Sequence, residues 1–100
     1  MDIPAPQQGI FFKIQIAATR KSPLRTDQYF RNKYKIEQHV DLAEEAGWRK
    51  YMIGNFDSYS SASRFNQRTR EKIPDAFVVA YKNADRISIS EATTNSKISD

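Results

Sequence analysis

Apolar and polar positions alternate over Ile10–Ala18, where Phe12, Ile14 and Ile16 interleave with Phe11, Lys13 and Gln15, the period of two of a half-buried strand. Over Ser22–Tyr34 the pattern changes: Thr26 or Asp27 is placed to cap a short helix carrying Tyr29, Phe30 and Tyr34. Alternation returns in Ile36–Glu44, with Ile36, Gln38, Val40 and Leu42 on one side. Glu45-Ala46-Gly47 then offers a tight reversal into a further strand, Trp48–Ile53, and two alternating runs around a glycine turn predict a hairpin. Tyr59, Ala62, Phe65, Thr69 and Ile73 recur at spacings of three and four, so Tyr59–Ile73 reads as an amphipathic helix capped by Asp57 or Ser58 and ended by Pro74. Ala76–Lys82 is a strongly apolar strand followed by the turn residues Asn83-Ala84-Asp85, and Ile87 and Ile89 either add a short strand or pack a C-terminal tail.

Strand, helix, strand, strand, helix, strand is the order of an α+β, ferredoxin-like or RNP-like βαββαβ domain: a four-stranded antiparallel sheet with two helices on one face. The polar, proline-bearing stretch 1–9 reads as a linker, 10–90 as the domain and 91–100 as a flexible tail. The uncovered sheet face is then the place to look for function. With Phe12, Ile14 and Ile16 turned to the helices, Phe11, Lys13, Gln15 and Ala17 point outward. Tyr51 and Ile53 suit the core, which turns Trp48, Lys50 and Met52 outward. In the last strand small Ala76, Val78 and Ala80 favour the helix side and leave Phe77, Val79 and Tyr81 outward, although both faces are apolar and the opposite phase stays open.

Composition narrows the reading. One hundred residues, 39% of them hydrophobic, suit one domain with a modest core. A net charge of +4 favours polyanions only weakly unless it is gathered in one patch. The absence of cysteine excludes disulfides and thiolate metal sites, and no apolar run approaches the roughly 20 residues of a membrane span. Enzyme chemistry finds little support. His39 lacks a triad partner and reads as a surface or hydrogen-bonded structural histidine, while the adjacent Glu44 and Glu45 point to different sides of a strand and read as solvated hairpin charges. No phosphate loop, metal cluster or nucleophile elbow is present, and no cofactor is implied.

An uncovered face carrying Phe11, Lys13, Gln15, Trp48, Lys50, Met52 and Tyr81 offers flat apolar rings with amide and ammonium donors, which suits sugars or nucleobases. Phe12–Ala18 resembles the first strand of SPOR domains, in which a glutamine sits between two aliphatics. Trp48–Phe56 is similar to that family's third strand, which opens with Trp and closes in Gly-x-Phe. Asp57–Ala62 resembles its helix start, Ala76–Tyr81 its closing strand, and Asn83–Ile87 the Asn-Gly-Lys-Arg-Ile ending of relatives from Bacteroidetes-type bacteria. The likeness runs from Ile10 to Ile89. It implies non-catalytic binding of peptidoglycan glycan strands stripped of peptide stems, through the uncovered face with Gln15 and Trp48 at matching positions. It also implies a place in the periplasm or cell envelope, with an export signal or anchor upstream, and contact with neither nucleic acid nor membrane. Ala17-Ala18 in place of Gly-Ser, a displaced first helix, and Asn83-Ala84 in place of Asn-Gly depart from the pattern. The rival readings are a single-stranded RNA-binding module, with Lys13, Arg49, Lys50 and Arg86 on phosphates, and a protein-docking module of the envelope. Against RNA, the first and third strands lack the aromatic-rich RNP patterns.

Overall fold

The computed structural model describes residues 9–83 and 85–93. The chain runs β1 (Ile10–Thr19), α1 (Asp27–Tyr34), β2 (Val40–Glu45), β3 (Trp48–Phe56), α2 (Tyr59–Thr69), β4 (Phe77–Lys82) and β5 (Asp85–Ile87). A short helical segment over 89–93, α3, follows. The five strands form one antiparallel sheet in the order β2-β3-β1-β4-β5. The expected four-stranded, ferredoxin-like sheet with two helices on one face is therefore corrected: the protein is α+β, but its sheet has five strands curled into a half-barrel and it carries three helices.

Both additions come from the segment after β4. Asn83 takes the left-handed conformation (φ 52°), reversing the chain so that Ile87 pairs with Ala80 and Arg86 with Tyr81. The Asn83 backbone N–H donates to the Gly9 carbonyl and its side-chain oxygen accepts from the Gly9 N–H, each at 3.2 Å, which pins the turn to the start of β1. Ser88 then caps α3 by accepting from the Glu91 N–H at 3.0 Å, and Ala92 is fully buried. The stretch expected to fray from residue 91 is thus helical through 93; the remainder of it, 94–100, and the linker stretch 1–8 lie outside the described residues.

Two irregularities bend the sheet. Between the Phe12–Phe56 and Ile14–Ile53 pairs β3 carries an extra residue, and Gly54 (φ 80°) absorbs it. A Cβ on Gly54 would lie 2.5 Å from the Phe56 ring and sit at a positive φ, so any other residue there would be strained and would displace that ring. Between the Gln15–Met52 and Ala17–Tyr51 pairs the extra residue is on β1. Ile16 and Ala17 then both face the helices and the outward phase passes to Ala18, which pairs with Lys50. The outward placement expected for Ala17 is overturned by that bulge.

The helix side holds the main core: Phe12, Ile14, Ile16, Phe30, Ile36, Val40, Tyr51, Ile53, Ala62, Ile73, Ala76, Ala80 and Ala92. α1 begins at Thr26, whose hydroxyl accepts from the Tyr29 N–H at 3.3 Å, and ends at left-handed Lys35. That break means β2 starts at Val40 rather than Ile36, although the Ile36 side chain is still buried. α2 is capped by Ser58 and stops at Thr69, four residues before its predicted end; residues 70–72 continue as tight turns that deliver Ile73 to the core. The hairpin turn places Ala46 (φ 51°) and Gly47 (φ 83°) in the left-handed region, the geometry of a type I′ turn.

Candidate functional site

On the side away from the core, cross-strand pairing fixes which residues share the surface. Glu45–Trp48, Ala43–Lys50 and Asp41–Met52 pair between β2 and β3; Gln15–Met52 and Ala18–Lys50 pair between β3 and β1; Phe11–Tyr81, Lys13–Val79 and Gln15–Phe77 pair between β1 and β4; Tyr81–Arg86 pairs between β4 and β5. All seven sequence-proposed residues, Phe11, Lys13, Gln15, Trp48, Lys50, Met52 and Tyr81, therefore lie on this one face. The phase left open in β4 is resolved, with Phe77, Val79 and Tyr81 on the face and Val78 and Ala80 in the core.

The face is not flat. A flat sheet would hold β2 and β5 about 19 Å apart. Yet Arg86 Nη1 on β5 comes within 4.0 Å of Glu45 Oε1 on β2, so the sheet curls toward this side. The curl closes a second, smaller core over the middle of the face. Met52 is 2% exposed, Val79 and Tyr81 are packed with it, and the Tyr81 hydroxyl donates to Met52 Sδ at 3.1 Å. Burial, helped by the nearby Glu45 carboxylate, pushes the Tyr81 phenol above its ordinary value of 10.0. Gln15 is only 7% exposed and accepts a 3.4 Å hydrogen bond from Arg86 Nη1. Met52, Tyr81 and Gln15 thus form the floor of the site, and the expectation that they lie open on a bare sheet is corrected by the curvature.

What remains reachable gathers at one end. Trp48 (39% exposed) and Phe77 (45% exposed) flank a polar group in which Lys50 Nζ binds Glu45 Oε1 at 2.7 Å and Arg86 leans on the same carboxylate. The Arg20 guanidinium rests 5.2 Å above the Trp48 ring and holds the indole in place. Phe77, Val79, Lys50, Arg86, Ile87 and Ile89 line an open groove of about 580 Å³. Toward the other end, half-buried Phe11 pairs with Tyr81, and Lys13 is bound to Asp41 at 3.2 Å and to the Gly54 carbonyl at 3.4 Å. Sequence reasoning placed Phe77 correctly but did not name it as a ligand-binding residue, and it took Glu45 for a solvated hairpin charge. The pairing of Glu45 with Lys50 follows from the two-residue turn, which sets their strands in register.

His39 stands apart from this site, at the rim before β2. Its Nδ1 lies 2.9 Å from Asp27 and its Nε2 lies 3.3 Å from Asp41. The two carboxylates sit on opposite edges of the ring and do not converge on a common point, and among the described residues no group of His, Asp and Glu could hold a metal ion. The hydrogen bond and charge of Asp27 hold the imidazole above its ordinary 6.5, and the same bond together with the Val40 N–H holds Asp27 below its ordinary 3.8. This is a fastener between α1 and β2. Among the described residues no helix is long and apolar enough to cross a membrane. No family model, curated protein or solved structure matches the chain.

Proposed function

We propose that the protein is a non-catalytic carbohydrate-binding module whose ligand is a glycan strand of the bacterial cell wall, bound along the Trp48–Phe77 end of the concave face. One observation carries the choice of a sugar polymer. Two large aromatic side chains stay exposed on this face while its cations are few and mostly answered: Asp41 holds Lys13, Glu45 holds Lys50 and lies at the edge of reach of Arg86, and Arg20 rests on the Trp48 ring. A polyphosphate ligand needs several uncompensated cations spaced along its length, because its affinity comes from replacing condensed counterions. A sugar needs flat apolar surface for its C–H groups and paired donors and acceptors for its hydroxyls. RNA is disfavoured on that ground.

The spacing of the platforms speaks for a chain rather than a single ring. Phe77 pairs with Gln15, Gln15 with Met52, and Trp48 stands four residues further along β3. The two rings thus stand on strands separated by β1, as two distinct platforms rather than two sides of one pocket. Lys50, Glu45 and Arg86 lie between them and suit hydroxyl and acetamido groups. The choice of a cell-wall strand, and with it the cell envelope as the place of action, rests on the resemblance of the strand sequences to SPOR domains. Beneath this surface Gln15 supports Arg86.

The test is co-sedimentation with purified, amidase-treated sacculi. The double variant Trp48→Ala, Phe77→Ala is expected to stay in the supernatant while still unfolding cooperatively, since neither side chain belongs to either core. Undiminished pelleting of that variant would place the site elsewhere.

A further inference from the structure

Arg86 and Lys50 share a single carboxylate. Lys50 Nζ takes Glu45 Oε1 at 2.7 Å, and Arg86 Nη1 reaches the same oxygen only at 4.0 Å. The one hydrogen bond of the Arg86 guanidinium among the described residues is long, 3.4 Å to Gln15 Oε1, and the group also rests 6.0 Å above the Tyr81 ring. A fork of five N–H donors is thus engaged through one nitrogen, and two cations are balanced by one anion. The surplus positive charge sits in the groove walled by Phe77, Val79, Ile87 and Ile89. Lys13, the other cation of the face, is not part of this surplus, because Asp41 answers it.

We propose that the groove beside Phe77 is a subsite for a carboxylate carried on a sugar ring, with the Arg86 fork as its receptor and Lys50 as a second cation. The inference rests on the glycan reading above and deepens it by naming the group recognised. A planar guanidinium takes a carboxylate through two parallel hydrogen bonds, which fixes orientation as well as adding attraction. Gln15 holds the guanidinium from below, and Glu45 competes with the incoming carboxylate. Glu45 therefore sets the affinity: it keeps the subsite close to neutral when empty and gives up part of Arg86 and Lys50 when a ligand enters. Trp48, across the face, supplies stacking that is indifferent to ligand charge.

The experiment compares two forms of one probe, amidase-stripped glycan strands with free carboxylates and the same strands with those carboxylates converted to amides. Wild-type protein is expected to bind the amidated strands about tenfold more weakly. Arg86→Gln should lose a similar factor on the native strands and become insensitive to amidation. Glu45→Gln should bind native strands more tightly than wild type and amidated strands equally well. A glycerol-phosphate polymer should compete poorly, as it offers anions without the ring that Phe77 stacks. Equal binding of native and amidated strands by wild type would overturn the subsite and leave the glycan reading standing, and strong competition by the phosphate polymer would do the same to the choice of a carboxylate. Binding of neither strand form would overturn both. Should Arg86→Gln not fold, the wild-type comparison of the two strand forms still decides.

Discussion

On the concave side of the sheet Lys13, Lys50 and Arg86 each lie within 4.0 Å of a carboxylate, with Arg20 stacked on Trp48 instead; on the helix side Arg49 meets Glu44 at 3.3 Å at the hairpin, but Arg31, Lys33, Arg64, Arg68 and Lys72 have no carboxylate so close among the described residues. The helical cations instead reach neutral neighbours: Arg31 donates to the Gln28 side chain, Lys33 to the Tyr29 hydroxyl and Lys72 to the Lys35 carbonyl. Solvent access explains the contrast. Helical side chains stand in water, where an ion pair adds little over hydration. Curling the sheet removes part of that water from the concave side, and a charge held there must find a partner or cost stability. The lesson concerns function too: carboxylates answer most of the cations on the surface that carries the exposed aromatics, so the basic balance of the chain says little about the ligand.

The comparison can be broken most forcefully at the floor of the concave side. If the curl makes a second core there, Met52→Ala should destabilise by about 2–4 kcal/mol in urea unfolding, as for a buried methionine in any core. A cost near zero would mean that the face is an open platform. Next in size, Asp41→Ala strands the mostly buried Lys13 ammonium and should cost about 1 kcal/mol by the same measurement. Smaller again is the fastener at His39, where the charged groups facing the ring are Asp27 and Asp41, with Lys13 behind. Because the folded imidazole titrates above 6.5, its contribution is fully present below that value and is lost as pH rises through the higher folded value. The unfolding temperature should decline over that window, and His39→Gln should flatten the decline. Asp27 behaves oppositely: its contribution is present above 3.8 and is lost as pH falls through its lower folded value. Least of all, Arg64→Ala and Arg68→Ala should each shift stability by under about 0.5 kcal/mol, since neither side chain holds a partner among the described residues.

Much of the strand pattern was legible because period-two alternation and turn chemistry are local. Trp48, Lys50 and Met52 announced one face, and Ala46-Gly47 announced the hairpin that joins β2 to β3. The curvature was not legible. It depends on an extra residue at Gly54 and another at Ile16, and a bulge exists only relative to the strand opposite. Without it Gln15, Met52 and Tyr81 read as accessible when they form a floor, and Ala17 reads as outward when it faces Tyr51. The fifth strand was foreshadowed by Ile87, and Ser88-Ile89-Ser90-Glu91 carries the spacing of a capping box, a local signal for α3 that the polar character of the tail concealed. At the site, the aromatic and cationic residues could be named from the pattern, but the carboxylate that two of them share could not, because Glu45 meets Arg86 only after the sheet bends.

The most direct test of the account is the salt dependence of binding to amidase-stripped glycan strands, measured alongside a single-stranded RNA of similar length. A face with so little uncompensated positive charge should hold the strands with an affinity that changes only a few-fold from low to high salt, and should hold the RNA weakly throughout. A steep fall in strand affinity with salt, or RNA binding that outcompetes the strands, would contradict it.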